Sequence, residues 1–186
     1  MNTKKQTATQ HLFTNKQLRT LLVPIMVEQL LSSLMGTADT MMVSNVGSAA
    51  ISAVSLVDAI NILVIQALSA LAAGGAILCS QYLGSQNLKK AKCSAEQVLF
   101  VMLVLSCSLS LLCLIFRFPL LRLIFGTVDT DVMANSQIYF FFTLLSFPFI
   151  GLYDAGASIL RAQNNTKGPM TISILSNFLN IGGNAI

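Results

Sequence analysis

Residues 59–88 read AINILVIQALSALAAGGAILCSQYLGSQNL, thirty residues without an Asp, Glu, Lys or Arg. A helix that spans a bilayer needs about 20 predominantly apolar residues. Similar uncharged runs cover 97–116, 132–153 and 168–186. A fifth apolar segment, 20–43, has the required length with two acidic residues inside it. We therefore predict an all-α integral membrane protein with about five transmembrane helices.

The composition supports this class of protein. The chain has 186 residues, of which 54% are hydrophobic and only 10% are charged. An ordinary soluble domain carries roughly 25% charged residues. The net charge of +4 comes mainly from the segments between apolar runs and not from one basic patch. These features argue against a soluble globular protein, a nucleic-acid-binding protein and a disordered chain.

The apolar runs and the polar turns between them predict where the spans begin and end. We expect spans over residues 18–43, 52–82, 94–116, 132–160 and 169–186. Residues 1–17 are polar, so we expect a cytoplasmic tail and not a cleavable signal peptide. The segment 117–131 is amphipathic and is expected at the outer membrane interface. No change in composition marks a second domain.

The basic residues are distributed asymmetrically across the predicted spans. If the chain crosses at each span, nine of the eleven Lys and Arg residues fall on one side, and only Arg117 and Arg122 fall on the other. Cytoplasmic loops carry an excess of Lys and Arg. We therefore predict a multi-pass protein of the cell membrane with a cytoplasmic N-terminus. Short loops and the lack of a targeting segment favour a bacterial inner membrane.

Polar residues recur at helical spacing inside the first and last spans. The two stripes are Glu28, Ser32 and Asp39 in the first span, and Ser173, Asn177, Asn180 and Asn184 in the last. An ionisable residue inside a span usually has a partner or a function, because burying it in lipid is costly. A carboxylate there can exchange a proton, and Asn carbonyl oxygens can ligate Na⁺. The stripes predict a shared cavity with a coupling site for H⁺ or Na⁺ at Asp39, Asn180 and Asn184.

Other readings of the polar residues stay open. Asn often stabilises contacts between membrane helices, and this is the stronger reading for Asn177 taken alone. Glu28 lies near the inner end of its span, where its carboxylate could either reach the interface or serve the cavity. Asp58 lies close to a helix start and is interpreted as structural. Tyr139 and Tyr153 belong to an aromatic-rich span, which either packs in the core and against lipid or forms a substrate-stacking wall.

No residue pattern supports an enzyme. The four cysteines form no CxxC pair, and the one histidine, His11, lies in the polar tail. A thiol inside an apolar run behaves as a small hydrophobe. No nucleophile–base pair is recognisable, and no cofactor is expected. Apart from Na⁺ at the predicted coupling site, we expect no metal.

The chain resembles a known transporter family at several collinear motifs. These are Pro24-x-x-x-Glu28-Gln29, Ala38-Asp39-Thr40, Gly47-x-Ala49-Ala50, Gln81-Tyr82-Leu83-Gly84, Leu160-Arg161-Ala162-Gln163, Thr166-Lys167-x-Pro169 and Asn180-x-x-x-Asn184. Together they are similar to the first five helices of multidrug and toxic compound extrusion (MATE) transporters. Each motif alone is weak, and their order along residues 18–186 carries the resemblance.

The resemblance implies a fold and a function. MATE transporters have twelve helices in two pseudo-symmetric six-helix lobes, and they export cationic or amphipathic compounds using a Na⁺ or H⁺ gradient. Asp39 matches the helix-one aspartate implicated in coupling. Asn180 and Asn184 match its helix-five companions. Some members carry aspartate at the second of these positions, so the Asn here leaves the coupling ion open.

The resemblance also implies how much of such a transporter the chain represents. Residues 18–186 would form part of an N-terminal lobe, and a sixth helix and a C-terminal lobe would be the missing partners. We expect such a truncated part to be inactive alone. The residues expected to line its cavity are Glu28, Gln29, Ser32, Asn177, Tyr139 and Tyr153.

Two other functions compete with drug export. One is a flippase for lipid-linked oligosaccharides, from a related branch with similar lobes. Those proteins often carry basic residues in the central cavity, which the predicted stripes lack. The other is a membrane scaffold that binds a partner and transports nothing. A scaffold predicts that Asp39→Asn has no effect.

Overall fold

A computed structural model describes residues 14–43, 47–126 and 128–184. The side chains of Asp39, Ile181 and Asn184 lie outside the described part, and so does most of the predicted tail. Six helices and no strand occur in the described ranges. They are α1 (Asn15–Val43), α2 (Ser48–Gly84), α3 (Leu88–Ile115), α4 (Arg117–Phe125), α5 (Thr130–Ala162) and α6 (Lys167–Asn184). The predicted all-α membrane class is confirmed.

Four of the helices in the described ranges, α1, α2, α3 and α5, are long and apolar enough to cross a membrane. The longest, α2, has 37 residues, or about 55 Å at 1.5 Å per residue. This exceeds a hydrocarbon core of about 30 Å, so α2 must tilt or protrude. α6 occupies the fifth predicted span but has only 18 residues and is not among the four. Its crossing of the membrane stays a prediction.

Local residue chemistry explains several helix ends. The side chain of Asn87 accepts a hydrogen bond from the backbone N–H of Lys90 and caps α3. Gly126 ends α4 at a φ of 62°, a left-handed conformation that glycine adopts without strain. Pro169 lies in the first turn of α6, where its missing N–H leaves no helical hydrogen bond unmade.

The core of the molecule is built by α2, α3 and α5. Its fully buried side chains include Val57 and Leu68 on α2, Met102 on α3, and Phe140 and Phe147 on α5. The short helix α4 packs at one end of α5.

The helices α1 and α6 form a pair beside this core. α1 packs mainly along α6 and touches α2 only slightly, while α6 meets α5 over a short stretch. Many apolar side chains of the pair are exposed in the described part, among them Met26, Leu30, Phe178 and Leu179.

Candidate functional site

A buried ion pair connects α1 to α5. Glu28 on α1 is only 5% exposed, and its Oε1 accepts a hydrogen bond from Arg161 Nη2 at 2.7 Å. Arg161 lies in the last turn of α5, and a third of its side chain is exposed. A short N–H···O contact between two charged groups is among the stronger hydrogen bonds in proteins. It holds together two helices whose backbones have little contact of their own.

Tyr153 extends this contact to a third helix. Its hydroxyl donates to Glu28 Oε1 at 3.0 Å and lies 3.3 Å from the hydroxyl oxygen of Ser173 on α6. A tyrosine hydroxyl can donate only one hydrogen bond, and that of Tyr153 is donated to the Glu28 carboxylate. Ser173 is therefore the donor in its contact with the Tyr153 hydroxyl oxygen. Glu28, Tyr153 and Ser173 thus join α1, α5 and α6.

A second carboxylate, that of Asp154, lies on the same face of α5 as Arg161. Asp154 Oδ2 accepts a hydrogen bond from the Ser69 hydroxyl of α2 at 2.5 Å. Asp154 precedes Arg161 by seven residues, close to two helical turns, so the two residues lie on one face of α5. We call these six residues the junction cluster: Glu28, Ser69, Tyr153, Asp154, Arg161 and Ser173.

Two polar atoms of the junction cluster are buried without a hydrogen-bond partner in the described part of the chain. They are Oε2 of Glu28 and Nε of Arg161. Buried polar atoms are normally paired, so each such atom calls for a physical explanation. The cluster also contains two carboxyl groups and one guanidinium. Its charges therefore do not cancel when both acids are ionised.

The structure bears on one of the two interpretations of Glu28, and its role in a cavity stays a prediction. A carboxylate that reached the interface would be exposed, whereas Glu28 is buried and ion-paired, so that reading is wrong. Arg161, which the sequence places beside a polar loop, supplies the counter-charge from inside α5. No periodicity could reveal this partner, because 133 positions separate the two residues.

Asp154 is a cluster residue that sequence reasoning missed. The uncharged run 132–153 ends one residue before it, although the predicted span continues to 160. An ionisable residue inside a span with an arginine seven positions later is a recognisable signal, because the two share one face of a helix. The same reasoning that singled out Glu28 would have found Asp154.

The predicted coupling residues lie on neighbouring helices. The backbone of Asp39 belongs to α1 and the backbones of Asn180 and Asn184 belong to α6, and these two helices pack along each other. Asn180 is partly buried and has an interaction partner. The side chains of Asp39 and Asn184 fall outside the described part. Their coupling role stays a prediction.

Asn177 faces the crevice between α1 and α6. This cavity of about 180 Å³ is otherwise apolar and is lined by Leu31, Leu34, Met35, Ala38, Ile174, Asn177 and Phe178. Asn177 is buried, and its Nδ2 donates to the backbone oxygen of Ser173 at 2.9 Å. This bond lies within α6, so it does not join two helices.

The remaining residues expected to line a cavity are dispersed. Gln29 and Ser32 are exposed on α1. The Tyr139 hydroxyl donates to Asp58 on α2 at 3.1 Å, and Asn61 donates to the same oxygen at 3.3 Å. Tyr139 is 14 residues from Tyr153, about 21 Å along α5, and therefore belongs to another region. The contacts of Asp58 agree with the structural interpretation.

Comparison with known proteins places this arrangement among membrane transporters. The MatE family model matches residues 24–186. YisQ, an uncharacterized transporter of Bacillus subtilis, is 31% identical over 164 residues, covering 88% of this chain and 35% of that protein.

Solved structures share the fold. A MATE protein crystallised in complex with MaD3S matches with a TM-score of 0.85 and 22% identity, covering 91% of this chain and 38% of that one. A transporter of the MOP superfamily from Pyrococcus furiosus matches with a TM-score of 0.83 and 24% identity, covering 91% of this chain and 37% of that one.

The fold is that of part of one lobe of a polytopic transporter. The chain belongs to the MatE family of membrane transporters. It spans 35% to 38% of the length of these three relatives. The family resemblance inferred from the motifs is confirmed.

Proposed function

We propose that this chain contributes to a cation-coupled antiporter that exports cationic or amphipathic compounds with a Na⁺ or H⁺ gradient. One observation carries the proposal. Within the region matched by the MatE model, α1 and α6 pack together, so the backbone positions of Asp39, Asn180 and Asn184 lie on adjacent helices.

Competition between the substrate and H⁺ or Na⁺ for Asp39 couples export to the cation gradient. An ionised carboxylate inside the membrane needs a compensating charge, which a cationic substrate can supply. When H⁺ or Na⁺ binds at Asp39, that charge is neutralised and the attraction for the substrate is lost. Rocking of repeats around a central site then exposes it alternately to the two sides. Asn180 and Asn184 supply amide oxygens that suit Na⁺ or a protonated acid.

Dye export tests the proposal. The protein is expressed from its natural gene, and uptake of a cationic dye into inverted vesicles is followed after a cation gradient is imposed. We expect uptake by the wild type and none by Asp39→Asn at equal expression. Asp58→Asn is the matched control, because Asp58 is a carboxylate on the neighbouring α2 whose hydrogen bonds to Asn61 and Tyr139 give it a structural role. Full uptake by Asp39→Asn would contradict the proposal.

A second function can be separated from drug export by a competition experiment. The structural report on the Pyrococcus furiosus transporter suggests from the reverse polarity of its binding pocket that its function differs, although its fold matches this chain. The fold therefore does not distinguish a drug exporter from a flippase for lipid-linked oligosaccharides. Inhibition of dye uptake by a lipid-linked sugar, but not by other organic cations added as competitors of the dye, would favour the flippase.

A further inference from the structure

The short helix α4 carries two arginines beside exposed apolar side chains. Arg117 is its first residue and Arg122 lies in its last turn. Phe118 and Leu123 are 51% and 85% exposed, whereas Leu121 is fully buried and packs α4 against the core. With nine residues, α4 is too short to span a bilayer. Basic and apolar side chains on a short helix at the end of a membrane span are typical of a helix that lies at the membrane interface.

Arg117 contacts aromatic rings and not an acid. Its guanidinium carbon lies 4.7 Å from the centre of the Phe118 ring and 5.5 Å from the centre of the Phe141 ring on α5. Neither arginine of α4 forms an ion pair with an acid of the described residues. A guanidinium over a ring face keeps the N–H groups at its edge free, and these form the planar fork that binds a phosphate through two hydrogen bonds.

The position of Arg117 along α5 places it near the edge of the hydrocarbon core. Phe141 lies 11 residues after the start of α5 at Thr130, or about 16 Å along the helix. α5 has 33 residues and is about 50 Å long, so about 10 Å extends beyond each side of a core of about 30 Å when the helix is centred. A cation at this depth is costly without an anion, and phospholipid headgroups supply anions nearby.

The surface around this guanidinium is apolar and accessible to lipid. Phe141 is 37% exposed, and the neighbouring Phe142 is 63% exposed. The two rings meet edge to face, with their centres 5.5 Å apart. Together with Phe118 and Leu123 they form a surface on which acyl chains can pack. A free phosphate ion would gain nothing from this apolar surface, whereas a phospholipid matches both the charge of Arg117 and the rings.

We propose that Arg117, Phe118 and Phe141 form a binding site for the phosphate group of an anionic phospholipid. The edge N–H groups of Arg117 donate to the phosphate, and the two rings hold the guanidinium in place. An anionic headgroup is preferred to a zwitterionic one because the latter carries its own cation and has no net charge to compensate Arg117. The site is independent of the proposed export function, because it requires neither Asp39 nor a transported compound.

Cross-linking to photoreactive lipids tests the site. The protein, expressed from its natural gene, is reconstituted in phosphatidylcholine vesicles with a trace of phosphatidylglycerol or phosphatidylethanolamine that carries a diazirine next to its headgroup. After illumination, labelled peptides are quantified by mass spectrometry. We expect the phosphatidylglycerol probe to label the peptide that contains α4 roughly fivefold more than the phosphatidylethanolamine probe does, after normalisation to a lipid-facing peptide of α3. Equal labelling by the two probes would overturn the proposal.

Variants of the two arginines show whether the site depends on geometry or on charge alone. Arg117→Gln should abolish the preference for phosphatidylglycerol, and Arg117→Lys should lower it, because an ammonium lacks the planar fork. Arg122→Gln is the matched control, since it removes the same charge from α4 and Arg122 contacts no ring in the described part of the chain. It should largely retain the preference.

Three further results would overturn the proposal. The first is an equal loss of the preference in Arg122→Gln and Arg117→Gln, because the preference would then follow net charge. The second is an undiminished preference in Arg117→Gln or Arg117→Lys. The third is displacement of the phosphatidylglycerol probe by excess inorganic phosphate, because the ligand would then be a free anion and not a lipid.

Discussion

Arg161 donates a hydrogen bond to Glu28 over 2.7 Å, although 133 positions separate the two residues in the chain. Tyr153 donates a hydrogen bond to the same carboxylate oxygen, and Ser173 contacts the Tyr153 hydroxyl. Because α1 has little backbone contact with the α2–α3–α5 core, this polar junction is a principal connection between that core and the α1–α6 pair. Disruption of this junction should therefore lower the stability of the folded protein.

Removing the counter-charge of Glu28 should destabilise the protein. In Arg161→Gln a buried carboxylate loses its ionic partner, which costs roughly 3–5 kcal/mol for a fully buried pair and less here because Arg161 is one-third exposed. Thermal unfolding in detergent should show a clear decrease in Tm. The double variant Glu28→Gln with Arg161→Gln should recover part of the loss.

The exposed pair Lys92–Glu96 is the control for that measurement. Its two side chains are 81% and 66% exposed and lie 3.9 Å apart. Exposed ion pairs contribute well below about 1 kcal/mol. Lys92→Gln should therefore leave Tm nearly unchanged. An equal decrease for Lys92→Gln and Arg161→Gln would contradict the structural role assigned to the buried pair.

Close packing between α3 and α5 should make Gly151 intolerant of a side chain. A Cβ at Gly151 would lie 2.8 Å from Ser106 Cβ. Forcing such a group into a packed interface typically costs about 1–3 kcal/mol. Gly151→Ala should lower the Tm. Gly156→Ala on the same helix should not, because a Cβ there would meet no atom of the described residues within 4 Å. Equal Tm values for both variants would argue against this contact.

The orientation of the protein can be tested with its own cysteines. Cys93 is exposed near the lysine-rich start of α3, Cys107 is exposed in the apolar part of the same helix, and Cys79 and Cys113 are buried. If the N-terminus is cytoplasmic, Cys93 lies near the cytoplasmic surface. A membrane-impermeant maleimide should label Cys93 in inverted vesicles and not in intact cells, with Cys93→Ser as the control. Labelling of Cys93 in intact cells would reverse the proposed topology.

Much of the fold could be predicted because uncharged runs have a direct physical meaning in a bilayer. The runs around α2, α3 and α5 identify these helices, and Pro169, where the last span is predicted to begin, lies two residues after the start of α6. The helices extend beyond several predicted spans because polar residues continue them past the apolar region, as Ser48 does at the start of α2.

The junction cluster could be predicted only in part. Helical spacing placed Glu28 inside a span. Its partner, Arg161, is set by the packing of α1 beside α5, and the periodicity of one helix carries no information about that packing. Asp154 escaped notice because the uncharged run ends just before it. The six-residue cluster could therefore be identified only from the tertiary packing, whereas the family resemblance could be identified from the order of short motifs in the sequence.

The most direct test of coupling between substrate and cation transport through Asp39 is to measure the cation flux that a substrate gradient drives. The protein, expressed from its natural gene, is reconstituted in proteoliposomes, and H⁺ and Na⁺ fluxes are recorded when a gradient of a cationic dye is imposed. We predict an opposing flux of one of these cations in the wild type and in Asp58→Asn. We predict none in Asp39→Asn. An undiminished dye-driven flux in Asp39→Asn would contradict the central claim.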